Sequence, residues 1–107
     1  MDKAEAVVIA EKYLDAISSK YIVLRAILFG SYAKGNFNKD SDIDIAIVIK
    51  NISDAIDTQI DLMKFRRNID LRIEPHPFKA DDFELNNPAI SEIIKYGVEL
   101  SNNKTKN

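Results

Sequence analysis

The stretch GSYAKGNFNKDSDIDIAIVIK, from Gly30 to Lys50, decides how this chain reads. It follows the apolar run Ala26-Ile27-Leu28-Phe29 and ends in a second one, Ile45 to Ile49. Within it, Gly30-Ser31 is followed by ten residues and then by Asp42-Ile43-Asp44. From residue 42 onward the pattern alternates. Asp42, Asp44, Ala46 and Val48 share one face of a strand, and Ile43, Ile45, Ile47 and Ile49 share the other. The isoleucine face belongs against helices. The aspartate face starts polar and turns apolar, as expected for a site at one end of a sheet. Two carboxylates one residue apart point the same way and repel, which favours a divalent cation held through hard oxygens. A Gly-Ser turn between a strand and a helix start offers amides and a hydroxyl to phosphate. Metal and phosphate together point to chemistry on a nucleoside triphosphate. Taken singly, each element has an ordinary reading: the acids cap a turn in solvent, and Gly-Ser is a turn. The setting changes that balance, because Asp44 stands among isoleucines, where an acid costs stability unless a partner or metal compensates.

Working outward, residues 2 to 20 read as a helix, with Ala6, Ile9, Ala10, Tyr13, Leu14 and Ile17 along one stripe. Residues 24 to 29 read as a strand. Residues 31 to 35 read as one helical turn, capped by Ser31 and closed by Gly35. After the strand at 42–49, Ser53 caps a helix through Arg66 with Ile56, Ile60 and Met63 inward. Residues 68 to 74 read as a third strand, in which Ile69, Leu71 and Ile73 alternate with Asp70, Arg72 and Glu74. Pro75 and Pro77, on either side of His76, stop it. A short helix at 80–85 and a last helix at 88–96, ended by Gly97, complete the order, and Ser101 to Asn107 form a polar, frayed tail. The expectation is an α/β fold: one domain over residues 1–107, with a small mixed sheet flanked by helices.

In that layout Asp70 is the candidate third carboxylate. If its strand neighbours that of Asp42 and Asp44, three acids surround one or two metal ions, which can activate an attacking oxygen and stabilise a leaving pyrophosphate. The competing reading is an ion pair of Asp70 with Arg72 or Arg25. Arg72 itself either reaches a phosphate or pairs with Glu74. His76 reads as a surface or loop histidine. Tyr13, Tyr21 and Tyr32 read as core or rim packing, and Lys64, Arg66 and Arg67 as a solvated helix end.

Composition excludes several classes. The 107 residues are 46% hydrophobic and 30% charged, as in a folded domain rather than a disordered one. A net charge of −2 is too small to imply electrostatic capture of nucleic acid or membrane. There is no cysteine, so disulfides and thiolate metal sites are excluded. No run approaches the ~18 apolar residues of a membrane span, and the N-terminus lacks the apolar core of a secretory signal. The expected setting is the cytoplasm.

Gly30-Ser31, the ten-residue spacing, Asp42-Ile43-Asp44 and a later Asp70 resemble the nucleotidyltransferase superfamily related to DNA polymerase β. The short length resembles its minimal branch, the MNT domain proteins of bacteria and archaea, over roughly Leu24 to Leu100. The resemblance implies a polymerase β-like fold, with Mg²⁺ (one or two ions) as cofactor and ATP as donor. It implies that Asp42, Asp44 and Asp70 are the metal-binding and catalytic carboxylates, with Asp70 helping to activate the acceptor hydroxyl. It also implies that Gly30 and Ser31 bind the β- and γ-phosphates. Lys34 stands where many relatives carry arginine; it keeps the charge but not the bidentate fork. Small members of this branch pair with a HEPN-domain ribonuclease as a toxin–antitoxin system, in which the MNT member is the antitoxin and transfers AMP from ATP to a tyrosine of the toxin. Two other functions compete: an antitoxin that neutralises its partner by binding alone, and a transferase acting on a small molecule, whose relatives usually carry an additional acceptor domain.

Overall fold

The isoleucine face of residues 43–49 organises the molecule. In the computed structural model, which describes residues 1–101, Ile43, Ile45, Ile47 and Ile49 are each fully buried. Burying one such side chain contributes roughly 1.5–3 kcal/mol, so this strand is the spine of the core. The elements in order are α1 (Lys3–Ile17), β1 (Val23–Phe29), the single-turn α2 (Ser31–Lys34), β2 (Ile43–Ile49), α3 (Ala55–Phe65), β3 (Ile73–Lys79), α4 (Pro88–Tyr96) and β4 (Val98–Glu99). Short 3-10 turns at Arg66–Asn68 and Ala80–Asp82 flank β3. The expected tail lies, beyond Ser101, outside the described residues.

The sheet order is β3-β2-β1-β4. β2 runs antiparallel to β1 and parallel to β3, and β4 is antiparallel to β1. The sheet is therefore mixed, as expected. On one face α1 delivers Ala6, Ala10, Tyr13, Leu14 and Ile17 onto the isoleucines, together with Leu62 of α3 and Ile73 of β3. The Tyr13 hydroxyl donates to the Leu62 carbonyl at 2.6 Å and ties the two helices together; burial raises its pKa well above the ordinary phenol value. On the other face α4 sets Ile93 against Ile27 and Ala46, leaving the N-terminal end of β2 uncovered by this cluster. No helix among the described residues is long and apolar enough to cross a membrane.

Four local expectations are corrected. Gly30, not Ser31, stands at the N-cap of α2, with φ +76° and ψ −148°. Asp54, not Ser53, caps α3, its carboxylate accepting from Ile56 N at 2.9 Å and Asp57 N at 3.0 Å. The phase this sets turns Thr58 and Leu62 inward, while Ile56 and Ile60 are 73% and 51% exposed. Residues 80–85 form only the 3-10 turn Ala80–Asp82.

The fourth correction bears on the site. The third strand is not 68–74 but Ile73–Lys79, so Pro75 and Pro77 lie within it rather than ending it. A proline is tolerated here because β3 is an edge strand. Each proline also biases the residue before it toward extended backbone, which favours strand geometry at both Glu74 and His76.

Candidate active site

β1 runs into Gly30, where the chain turns sharply into α2. Lys34 N donates to Gly30 O and Gly35 N to Ser31 O, both at 3.0 Å, and Gly35 closes the turn at φ +84°. Tyr32 anchors the turn: it is buried and stacks on Phe37 with ring centroids 4.7 Å apart. The first amides of such a turn have no intrahelical acceptor, so they remain available to an anion. Ser31 carries its hydroxyl beside them.

Gly30 is also where the turn meets the acids. A Cβ on Gly30 would lie 2.5 Å from Asp44 Oδ2, so only glycine leaves room for that carboxylate. Asp44 is the second residue of β2, with its side chain 25% exposed. Asp42 is exposed, one residue ahead of the strand. The pairing register sets Asp44 opposite Phe29 on β1 and opposite Glu74 on β3. Residues opposite one another share a face, and like charges so placed repel. His76, two residues beyond Glu74, reaches diagonally to Asp44, with Nε2 3.2 Å from Oδ1. Its ring packs edge-on against Phe29, centroids 5.0 Å apart.

Asp70 is elsewhere. It lies in the turn before β3, and Arg72 engages both its oxygens: Oδ1 accepts from Arg72 N and Nε at 2.9 Å each, and Oδ2 accepts from the guanidinium at 2.6 Å. The Arg72 hydrogen bonds hold the Asp70 carboxyl below the usual carboxylate range. The ion-pair reading of Asp70 with Arg72 thus describes the geometry, and Arg72 pairs with Asp70 rather than with Glu74. Arg66, expected as a solvated helix end, instead donates to Ile73 O at 2.8 Å and secures the start of β3. Sequence reasoning did not bring Glu74 and His76 to Asp44, where the structure puts them. The signal that could have found them is the alternation Ile73, Pro75, Pro77 against Glu74, His76, Phe78, read through the prolines.

Beside Gly30 a cleft of about 300 Å³ opens between the turn and α4, lined by Phe29, Lys34, Ala89, Glu92, Ile93 and Tyr96. Lys34 forms an ion pair with Glu92, and its ammonium lies 5.6 Å from the centre of the Tyr96 ring. Lys34 holds the Glu92 carboxyl below its ordinary range.

The donor set can be tested against a metal. Among the described residues no three Asp, Glu or His side chains gather closely enough to enclose an ion by themselves. Mg²⁺ does not require that, since one or two carboxylates plus substrate phosphates complete its shell. Asp44 Oδ2 beside the Gly30 turn fits one carboxylate of such a shell, with Glu74 paired opposite Asp44 on β3 and Asp42 one residue ahead of the strand.

Residues 10–100 match the family model of the nucleotidyltransferase domain. The chain is 32% identical over 79 residues to a putative protein adenylyltransferase of Methanocaldococcus jannaschii, covering 71% of this chain and 77% of that protein. A putative nucleotidyltransferase from Sulfolobus solfataricus superposes with a TM-score of 0.68 at 19% identity, covering 96% of this chain and 86% of that one. A toxin–antitoxin structure with AMP-PNP superposes at 0.61 and 22% identity, covering 88% and 74%. The chain belongs to the nucleotidyltransferase domain family: its mixed sheet and helices are the polymerase β-like fold, and it is a nucleotidyltransferase enzyme.

Proposed function

We propose that the chain transfers AMP from ATP to a hydroxyl, a tyrosine of a partner protein, and serves as the antitoxin of a HEPN ribonuclease toxin. The observation that carries the transfer reading is the meeting of Gly30 with Asp44 Oδ2, which brings the turn against that carboxylate. The relative named for protein adenylylation supports a protein acceptor, and the similarity to a toxin–antitoxin structure with AMP-PNP supports the toxin partner and the adenine nucleotide.

In this reading the Gly30–Ser31 turn binds the β- and γ-phosphates through amides and the Ser31 hydroxyl, and Lys34 adds a positive charge beside them. Asp44, with Asp42 ahead of it in the chain and Glu74 opposite it on β3, would hold Mg²⁺, one ion or two, together with the phosphates of ATP. In this reading Glu74 takes the third place expected of Asp70, an assignment supported by its pairing opposite Asp44. Bound Mg²⁺ supplies charge neutralisation on the phosphates and polarises the α-phosphate. The acceptor oxygen attacks the α-phosphorus. Its bond to phosphorus forms as the bond from the α-phosphorus to the bridging oxygen breaks, and pyrophosphate leaves. The acceptor proton passes to the Glu74 carboxylate. Phe29 and Ile93 provide apolar walls beside the turn.

The test incubates the purified chain with Mg²⁺, ATP labelled at the α-phosphate and the protein encoded beside it. Label enters a tyrosine of that protein with wild type and is lost with Asp42→Asn or Asp44→Asn. Protection from the toxin without label, equal for wild type and both variants, would overturn the enzymatic reading in favour of neutralisation by binding. A second expectation concerns Lys34. Glu92→Gln removes its competing partner, so ATP binding measured by calorimetry tightens about two- to fivefold, the range exposed ion pairs reach; unchanged affinity would show that Lys34 does not meet the phosphates.

A further inference from the structure

We propose that His76 is a positioning residue for the metal site: it holds one oxygen of Asp44 so that the other is presented at the Gly30 turn. The inference rests on the reading of Asp44 as a metal ligand. The two oxygens of Asp44 have different neighbours. Oδ1 lies 3.2 Å from His76 Nε2, and Oδ2 is the atom that the missing Cβ of Gly30 leaves room for. A carboxylate free to rotate would exchange these positions. The imidazole N–H favours one of them.

His76 is itself held in place from three directions. Its backbone pairs opposite Ala46, whose small side chain leaves the ring room to reach across to Asp44. Its ring packs edge-on against Phe29, at 61° between planes, so Phe29 and Asp44, which pair directly across β1 and β2, both meet it. Pro77 biases its backbone toward extended conformation. The side chain is nevertheless 42% exposed, so it contributes little to the core, and the contact to Asp44 is its one polar hydrogen-bond contact among the described residues. A residue that packs weakly yet orients a ligand is what outer partners of metal sites do, and losing such a partner typically weakens metal binding by about 10–100-fold.

The experiment uses Mn²⁺ as the metal probe, with a non-hydrolysable ATP analogue, and reads free Mn²⁺ by electron paramagnetic resonance. Wild type binds Mn²⁺, and Asp44→Asn abolishes that binding; if wild type binds none, the metal reading itself fails. His76→Ala is expected to raise the Mn²⁺ dissociation constant at least about tenfold with little change in melting temperature. His76→Gln, whose amide N–H stands in for Nε2–H, is expected to restore most of it. His76 is the only histidine in the chain, so ¹⁵N-histidine labels it alone. The positioning role predicts no nitrogen coupling to Mn²⁺ of the size a direct ligand gives. Three results would overturn it: unchanged Mn²⁺ affinity in His76→Ala, failure of His76→Gln to restore affinity, or a direct ¹⁵N coupling, which would make His76 a ligand.

Discussion

Glu74→Gln is expected to lower nucleotidyl transfer by about 10²–10⁴-fold, the range a positioned general base contributes, while Asp70→Asn leaves it within a few-fold. The contrast follows from where the two acids sit. Glu74 pairs opposite Asp44 across parallel strands, and Asp44 in turn meets the Gly30 turn. Asp70 is tied at both oxygens to Arg72 in a turn, and those hydrogen bonds compete with a metal for its carboxylate. Single-turnover rates at saturating ATP and Mg²⁺ decide between them; the reverse pattern would return the third carboxylate to Asp70. Asp70→Asn should instead act on stability, and the sign is set by its lowered pKa. A carboxylate whose folded pKa is depressed adds stability above its unfolded pKa and loses it as pH falls through the folded value. The variant is therefore less stable than wild type near neutrality, and the difference closes in strong acid. It is small, because Arg72 is 43% exposed and screened by solvent. Denaturant midpoints at neutral and acid pH measure it.

Gly30→Ala should be the most damaging single-methyl change in the chain. Its Cβ would lie 2.5 Å from Asp44 Oδ2 and 3.3 Å from Asp44 Cγ, so the carboxylate must move. A misplacement of about 1 Å at a reacting centre can cost about 10²-fold in rate. The backbone adds to this, since φ +76° and ψ −148° lie in a region essentially restricted to glycine, at roughly 1–3 kcal/mol for another residue. Gly35 is the internal control. Its φ is +84°, yet a Cβ there meets nothing within 4 Å. Gly35→Ala is expected to destabilise by about 1–2 kcal/mol through left-handed strain and to keep its activity. Urea unfolding alongside the rate assay separates the two effects. Equal activity losses at both glycines would mean that backbone strain, not crowding of Asp44, is responsible.

Much of the fold was legible because its signals are local. The stripe Ala6, Ala10, Tyr13, Leu14 and Ile17 reads directly as the buried face of α1, and the alternation from Asp42 to Ile49 reads as β2. Where two patterns fit one segment, the choice was not legible. α3 carries both Ile56-Ile60-Met63 and Thr58-Leu62, and its phase is selected by the Asp54 cap and by Leu62 docking against Tyr13. β4, only two residues long, has no periodicity to detect; it exists because Leu28 and Ile27 offer it a partner. The prolines at 75 and 77 look like breakers in isolation and become acceptable only once β3 is known to be an edge.

The sequence by itself determined the local make-up of the candidate site: a glycine where the chain must turn, a serine after it, and two acids at the entry of an isoleucine strand. Those features depend on neighbours within a few residues. Tertiary structure decided the rest. Strand register is a non-local quantity, and it is register that placed Glu74 beside Asp44, left Asp70 with Arg72, and brought His76 to one oxygen of Asp44 while Gly30 received the other. A shift of one residue in that pairing would send Glu74 and His76 to the opposite face, into the core.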